Sequence, residues 1–127
     1  MRPKRIQRLR TNGWSAPSGA VYVGRPTWFG NPFTPERFWE AGYSGSTRLS
    51  IEACVQAYRE WLTGAEFTLH WRSPDTFIEW LNATRQGRID RLVELRGKDL
   101  MCWCPLVDAN DNPVPCHADI LLEISNA

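Results

Sequence analysis

The chain has 127 residues, of which 43% are hydrophobic and 23% are charged, and its formal net charge is +1. This length suits one domain with its own core, and the composition excludes a disordered or collagen-like chain. No apolar run reaches the roughly 18 residues of a membrane span, and no apolar segment of a secretory signal follows the basic N-terminus. We therefore expect a single domain over residues 1–127 that has no membrane partner.

The first segment, residues 2–10, is basic and contains no acid. Lys and Arg on an edge strand discourage pairing with other chains, so the segment is predicted as an edge strand. The same charges would also suit an arm that contacts the phosphates of nucleic acid. Both interpretations remain open. The basic residues are Arg2, Lys4, Arg5, Arg8 and Arg10.

Short apolar runs and helix signals then follow along the chain. Residues 20–23 and 100–104 have the length and apolar character of buried strands. Capping residues, Pro at a first helical position, apolar periodicity and closing glycines predict five helices. They run from Thr34 to Gly42, over 49–62, from Ser73-Pro74-Asp75 onward, over 89–95, and from about Cys116 to the end.

This order of elements predicts an α/β fold: a small, Rossmann-like, mostly parallel sheet of few strands, covered by about five helices. The strands over 20–23 and 100–104 should be parallel and joined by a right-handed crossover. Ligands of such sheets bind beyond the carboxyl ends of the strands. Both unusual loops of the chain begin there.

The first loop, Arg25–Phe33, is longer than most connections of its kind. Arg25, the Asn31 amide, the backbone at Gly30 and the helix start behind them have the chemistry of an anion site, and Trp28 offers a ring for stacking. The dinucleotide fingerprint G-x-G-x-x-G is absent. In the alternative interpretation, this loop is a tight turn whose aromatic residues belong to the core.

The second loop contains Cys102-Trp103-Cys104 and, after eleven residues, Cys116-His117. On a strand, residues 102 and 104 face the same side, so a Cys₃His zinc site is one interpretation. A catalytic thiol is another, with Cys116 at a helix start beside His117 and near Cys102. Packed, inert cysteines are the third. Their spacing is unlike that of a disulfide scaffold, which favours reduced thiols and a cytoplasmic setting.

Several motifs resemble a known family. The chain is similar to the domain-of-unknown-function family 4326 of bacteria and phages, and the similarity extends over nearly its whole length. The resemblance implies a bacterial or phage setting and supports treating both loops as one site, but it implies no reaction. The motifs include Val23-Gly24-Arg25-Pro26, Gly30-Asn31-Pro32-Phe33, Cys102-Trp103-Cys104 and Cys116-His117-Ala118-Asp119.

These features predict a site for a nucleotide, nucleobase or related phosphorylated ligand between the Arg25–Phe33 loop and the Cys/His residues. Arg25 would hold the anion, Gly30 and Asn31 would orient the ligand, and Trp28 or Trp103 would stack on it. The chain would then be a small enzyme of nucleotide or DNA-base metabolism, although the sequence does not decide whether it is an enzyme. The alternatives are a nucleic-acid module with structural zinc and a phage protein that binds a host protein through its tryptophans.

Overall fold

The computed structural model describes residues 2–36, 47–64 and 75–127. The chain divides into two compact units. The sheet unit consists of Met1–Gly30 with Leu92–Ala127, and the helix unit consists of Asn31–Arg91. None of the helices in the described ranges is long and apolar enough to cross a membrane.

The sheet unit contains a small parallel sheet of three strands. Its strands are β1 (Arg5–Gln7), β2 (Val21–Tyr22) and β3 (Leu100–Cys102), in the order β1-β3-β2. Both neighbours run parallel to β3, so the predicted parallel pairing of the two apolar strands is confirmed. Part of the basic segment 2–10 therefore forms an edge strand. Its binding to polyanions stays a prediction.

The middle strand is buried along its whole length. Leu100 is 0% exposed and Cys102 is 1% exposed, because β3 is paired on both edges and helix α3 (His117–Ser125) packs against it. Leu121 of α3 is also fully buried. A one-turn 3₁₀ helix, Leu92–Leu95, packs on α3 and adds Leu95 to this core.

The helix unit contains two packed helices, α1 (Thr47–Thr63) and α2 (Asp75–Arg91). Trp61 of α1 is buried and donates its indole N–H to the carbonyl oxygen of Leu81 at 3.0 Å. Phe33 packs edge-on against the Trp61 ring. The indole satisfies its donor inside the core in this way, which lets a large aromatic side chain be buried at low cost.

The described residues therefore form a mixed α/β structure with three α-helices. The predicted helix over 49–62 is confirmed in α1. The predicted separate helix over 89–95 is wrong, because α2 continues through Gly87 to Arg91 and the 3₁₀ turn follows directly. A single glycine inside a helix costs only about 1 kcal/mol, which packing overcomes.

Two other predicted helices fall partly on residues that lie outside the described ranges. Of the helix predicted from Thr34 to Gly42, Pro35 and Glu36 are helical, and residues 37–42 are not described. The start signal Ser73-Pro74 also lies outside the described residues, and α2 begins at Asp75.

Asn31 belongs to the helix unit, where both ends of its amide are engaged. Its Nδ2 donates to the carbonyl oxygen of Cys54 at 3.2 Å, and its Oδ1 accepts from the backbone N–H of Phe33 at 2.9 Å. The side chain thus ties the loop to α1. It satisfies two backbone groups that would otherwise lose a partner.

We expect Asn31→Ala to lower the free energy of unfolding by about 1–3 kcal/mol, the usual cost of leaving partly buried polar groups unsatisfied. Chemical denaturation measures this. Asn82→Ala is the matched control, because Asn82 is exposed on α2 and its replacement should cost less than about 0.5 kcal/mol. Equal effects of the two changes would contradict the structural role of the Asn31 amide.

Candidate functional site

The carboxyl ends of the three strands lie at one edge of the sheet. Arg8, directly after β1, donates its backbone N–H to the carbonyl oxygen of Cys102 at 2.7 Å. Val23, directly after β2, donates to the carbonyl oxygen of Met101 at 2.9 Å. Trp103 follows β3. Since parallel strands end together, the residues after each strand become neighbours although they are far apart in sequence.

Three cysteine sulfurs meet at this edge, and we call them the sulfur cluster. The Sγ atoms of Cys102, Cys104 and Cys116 all lie within 4.8 Å of one another, and those of Cys102 and Cys116 are 3.2 Å apart. Cys102 and Cys116 are each 1% exposed, whereas Cys104 is half-buried. These three residues can together hold a metal ion.

Local structure explains how the cluster forms. The predicted strand over 100–104 is too long, because β3 ends at Cys102 and the chain bends at Trp103. Pro105, which has no N–H to donate, cannot extend the pairing. A β-bridge between Val107 and Pro113 then folds the following loop back on itself. The loop therefore returns Cys116 to the end of β3.

The turn of this loop is closed by one carboxylate. Asp108 Oδ1 accepts hydrogen bonds from the backbone N–H groups of Asn110 (2.8 Å) and Asn112 (3.0 Å). Asp111 between them has a φ of +60°, a conformation that Asp and Asn tolerate better than most residues. The Asp/Asn-rich stretch is thus a turn that positions the third cysteine.

His117, the predicted fourth metal ligand, is not a member of the metal-capable group found in the described part of the chain. Its ring lies 2.8 Å (Nε2) from the carbonyl oxygen of Val23 and 3.4 Å (Nδ1) from Cys116 Sγ. A carbonyl oxygen only accepts, so Nε2 carries a proton, while Nδ1 faces the sulfur. The imidazole therefore joins the end of β2 to the sulfur cluster.

The three thiols do not ionise alike. Hydrogen bonds from Cys102 and Cys104, and then one from His117, hold the pKa of Cys116 well below its ordinary value although burial opposes this. Hydrogen bonds to Cys102 and Cys116, together with burial, raise the pKa of Cys104. At Cys102 the hydrogen bond with Cys104 lowers the pKa, but Cys116 and burial raise it overall. These directions favour a thiolate on Cys116 beside neutral thiols on Cys102 and Cys104.

A buried cation lies beside the cluster, and sequence reasoning missed it. The Arg5 side chain is 8% exposed, and its Nε lies 3.4 Å from Asp119 Oδ1. Burial lowers the pKa of Arg5, but Asp119, Cys116 and Cys102 raise it above its ordinary value. No signal in the sequence separates Arg5 from the other basic residues of segment 2–10. Only the pairing of β1 with β3 turns it toward the cysteines.

A partly exposed group of aromatic and cationic side chains borders the cluster, and we call it the Arg–Trp patch. It is centred on Trp103, which is 38% exposed. The guanidinium carbons of Arg8 and Arg10 lie 4.8 and 4.6 Å from its ring centroid, and Arg8 is also 5.0 Å from the Tyr22 ring. The sequence indicated Trp103 as a ligand candidate and Arg8 and Arg10 as candidate phosphate contacts, but it did not place them together, and it did not indicate Tyr22.

The first part of the predicted anion loop also belongs to the sheet unit. Arg25 is exposed, and Trp28 is 47% exposed. A Cβ on Gly30 would lie 2.9 Å from Arg25 Cγ, so glycine is needed where the arginine stem crosses the backbone. Tyr22 donates its hydroxyl proton to the carbonyl oxygen of Arg25 at 2.8 Å, which fixes the loop to β2.

Comparison with known proteins identifies the family. The family model described as "Domain of unknown function (DUF4326)" matches residues 6–127, so the chain belongs to this family. The resemblance seen in the motifs is thereby confirmed. No curated protein and no solved structure shows a significant match to the chain.

In the reduced, metal-free protein we expect about one thiolate in the sulfur cluster at a pH near 7. This pH is below the ordinary thiol pKa of about 8.5, so free thiols are mostly protonated. The ultraviolet absorbance of thiolate measures the number of thiolates. A thiolate with a lowered pKa persists as the pH falls and disappears only when the pH passes through that lowered pKa. Cys116→Ser should remove the signal, and Cys54→Ser, at a buried cysteine of the helix unit, should keep it. Identical absorbance in the two variants would contradict the assignment to Cys116.

Proposed function

We propose that this member of the family binds a nucleotide, a nucleobase or a related phosphorylated ligand at the carboxyl edge of its sheet, and that the sulfur cluster holds zinc at the same edge. One juxtaposition carries the proposal. The metal-capable cysteines 102 and 104 flank Trp103, and the ring of Trp103 carries Arg8 and Arg10. The cysteines of the proposed metal site thus flank, in the chain, the ring against which the proposed anion-binding arginines lie.

Zinc suits the donor set. Thiolates bind it at about 2.3 Å, and three sulfurs that already lie within 4.8 Å of one another need little movement to share one ion. Burial favours this role over that of an attacking thiol, since Cys116, at 1% exposure, has little access to a substrate. Three protein ligands leave one position of a tetrahedral ion for water, a ligand or His117. An open position is typical of catalytic zinc, so the proposal includes an enzyme of nucleotide or nucleobase metabolism.

The ligand class follows from the Arg–Trp patch. Guanidinium groups bind phosphate through several donors, and an exposed indole offers a face to a base. Arg25, Trp28 and the backbone at Gly30 would contribute from the same unit, while Asn31, engaged within the helix unit, is left out of the proposed site. A Rossmann-like fold, a bacterial or phage origin and a reducing, cytoplasmic setting complete the proposal.

A second candidate function is a nucleic-acid module with structural zinc. The contact of Arg8 and Arg10 with the Trp103 ring also favours this function, because aromatic rings beside cations bind single-stranded nucleic acid. The two candidates differ in ligand size and salt dependence. A mononucleotide makes few phosphate contacts, whereas a strand makes many and releases many counterions.

Protein purified without a metal-affinity tag should contain about one zinc per chain by elemental analysis, since the cluster offers one ligand set. Chelation should lower the melting temperature, because metal binding stabilises the folded state. Cys104→Ser should lose most of the metal, and Cys54→Ser should keep it. Absence of zinc, combined with an unchanged melting temperature when zinc is added back, would refute the metal half of the proposal.

Calorimetric titration tests the ligand half, with nucleoside monophosphates, inorganic phosphate and a short single-stranded oligonucleotide as probes. We expect Arg10→Gln and Trp103→Leu each to weaken nucleotide binding by about tenfold, as for a lost charged or stacking contact. Lys98→Gln is the matched control, because Lys98 is an exposed cation before β3 at the opposite edge. Salt-sensitive binding of the oligonucleotide alone would favour the second candidate, and binding of no probe would contradict both.

A further inference from the structure

Arg5 has an unusual set of partners for a buried cation. It is the first residue of β1 and pairs with Leu100 of β3. Its Nε forms the ion pair with Asp119 at 3.4 Å, and its Nη2 donates to the carbonyl oxygens of Val114 at 2.8 Å and Pro105 at 3.4 Å. The guanidinium is therefore held by the loop that returns Cys116 and by the first turn of α3.

The remaining nitrogen, Nη1, is buried and has no hydrogen-bond partner among the described residues. A buried donor without an acceptor is costly, and native structures contain few of them. After burial and Asp119, the groups that affect the pKa of Arg5 are Cys116, through a hydrogen-bonding interaction, and Cys102. The guanidinium thus has an unused donor and interacts with two cysteines of the sulfur cluster.

The charge of the loaded cluster depends on the ion. Three thiolates and a divalent cation make a complex of charge −1, whereas three thiolates and trivalent arsenic make a neutral one. A buried charge without a counter-charge is unfavourable. Arg5 supplies a buried positive charge, while its carboxylate partner Asp119, whose side chain is 47% exposed, is screened by solvent.

We infer that Arg5 selects the charge of the ion in the sulfur cluster: it favours a divalent thiophilic cation, bound by three thiolates as an anionic complex. The inference rests on the proposed metal site. Arg5 does not touch the metal and is a positioning residue. We assign its unused Nη1 donor to a thiolate of the loaded cluster, and its charge balances the complex. The thiol protons leave to solvent, and no electron is transferred.

The test compares two probes that differ in charge when bound. Zinc affinity is measured by competition with a chromophoric chelator. Arsenite, As(OH)₃, exchanges three As–O bonds for three As–S bonds, and three waters leave with the thiol protons. The metal-free cluster already carries about one thiolate, so the loaded cluster keeps this negative charge with zinc and loses it with arsenic. Arg5→Met should therefore lower the ratio of zinc affinity to arsenite affinity by about tenfold or more, as for a lost buried charge, and Arg5→Lys should restore part of this ratio.

Lys4→Met is the matched control, because it removes the same charge from the adjacent, exposed residue of the chain. It should change neither affinity. Equal effects of Arg5→Met on the zinc and arsenite affinities would mean that Arg5 only holds the fold, and no effect on either affinity would mean that its charge is irrelevant. Either result overturns the inference. Failure of the unaltered protein to bind both probes would instead refute the proposed metal site.

A second variant keeps the inference testable if Arg5→Met does not fold. Asp119→Asn retains an oxygen that can accept from the Cys116 N–H, now 3.1 Å from Asp119 Oδ2, but removes the charge that competes for Arg5. The ratio of zinc affinity to arsenite affinity should then rise by about two- to threefold, a modest change because the carboxylate is half exposed. An unchanged or lower ratio in this variant would also overturn the inference.

Discussion

The pairing of β3 on both of its edges is the constraint on which the site depends. Leu100 pairs with Arg5 on one side and with Val21 on the other, and both partners run parallel to it. Parallel pairing makes all three strands end at one edge of the sheet. The residues that follow them, from three distant parts of the chain, are thereby gathered around Cys102. A change of direction in either neighbour would scatter them.

Burial and ionisation oppose each other at this edge, and the arrangement of neighbours decides the outcome. Burial alone would keep all three thiols neutral. Hydrogen bonds from Cys102, Cys104 and His117 instead favour a thiolate on Cys116, which is the N-cap of α3 and therefore also lies at the positive end of a helix dipole. Arg5 adds a cation from the facing strand. A buried negative charge is acceptable here because several groups share its stabilisation.

The short segment 102–104 separates two kinds of chemistry. Its two cysteines belong to the sulfur cluster, whereas Trp103 is partly exposed and contacts two arginines of the N-terminal segment. One side of the backbone thus offers soft donors for a metal, and the other offers a ring and cations for an anion with an aromatic group. The chain bend after β3 preserves this division although the strand itself has ended.

The sequence alone determined the elements whose signals are local. Apolar runs marked β2 and β3, periodicity marked α1, and the spacing of Cys102, Cys104 and Cys116 marked a metal-capable group, because each signal depends on residues close together in the chain. Tertiary structure decided the rest. Local signals predicted a separate helix over 89–95, yet α2 continues through Gly87 to Arg91. His117 suits a ligand set by spacing, yet its ring bonds to Val23. Nothing in the sequence distinguishes Arg5 from its basic neighbours. Only strand pairing buries it beside the cysteines, because its hydrogen-bond partners are about 100 residues away in the chain.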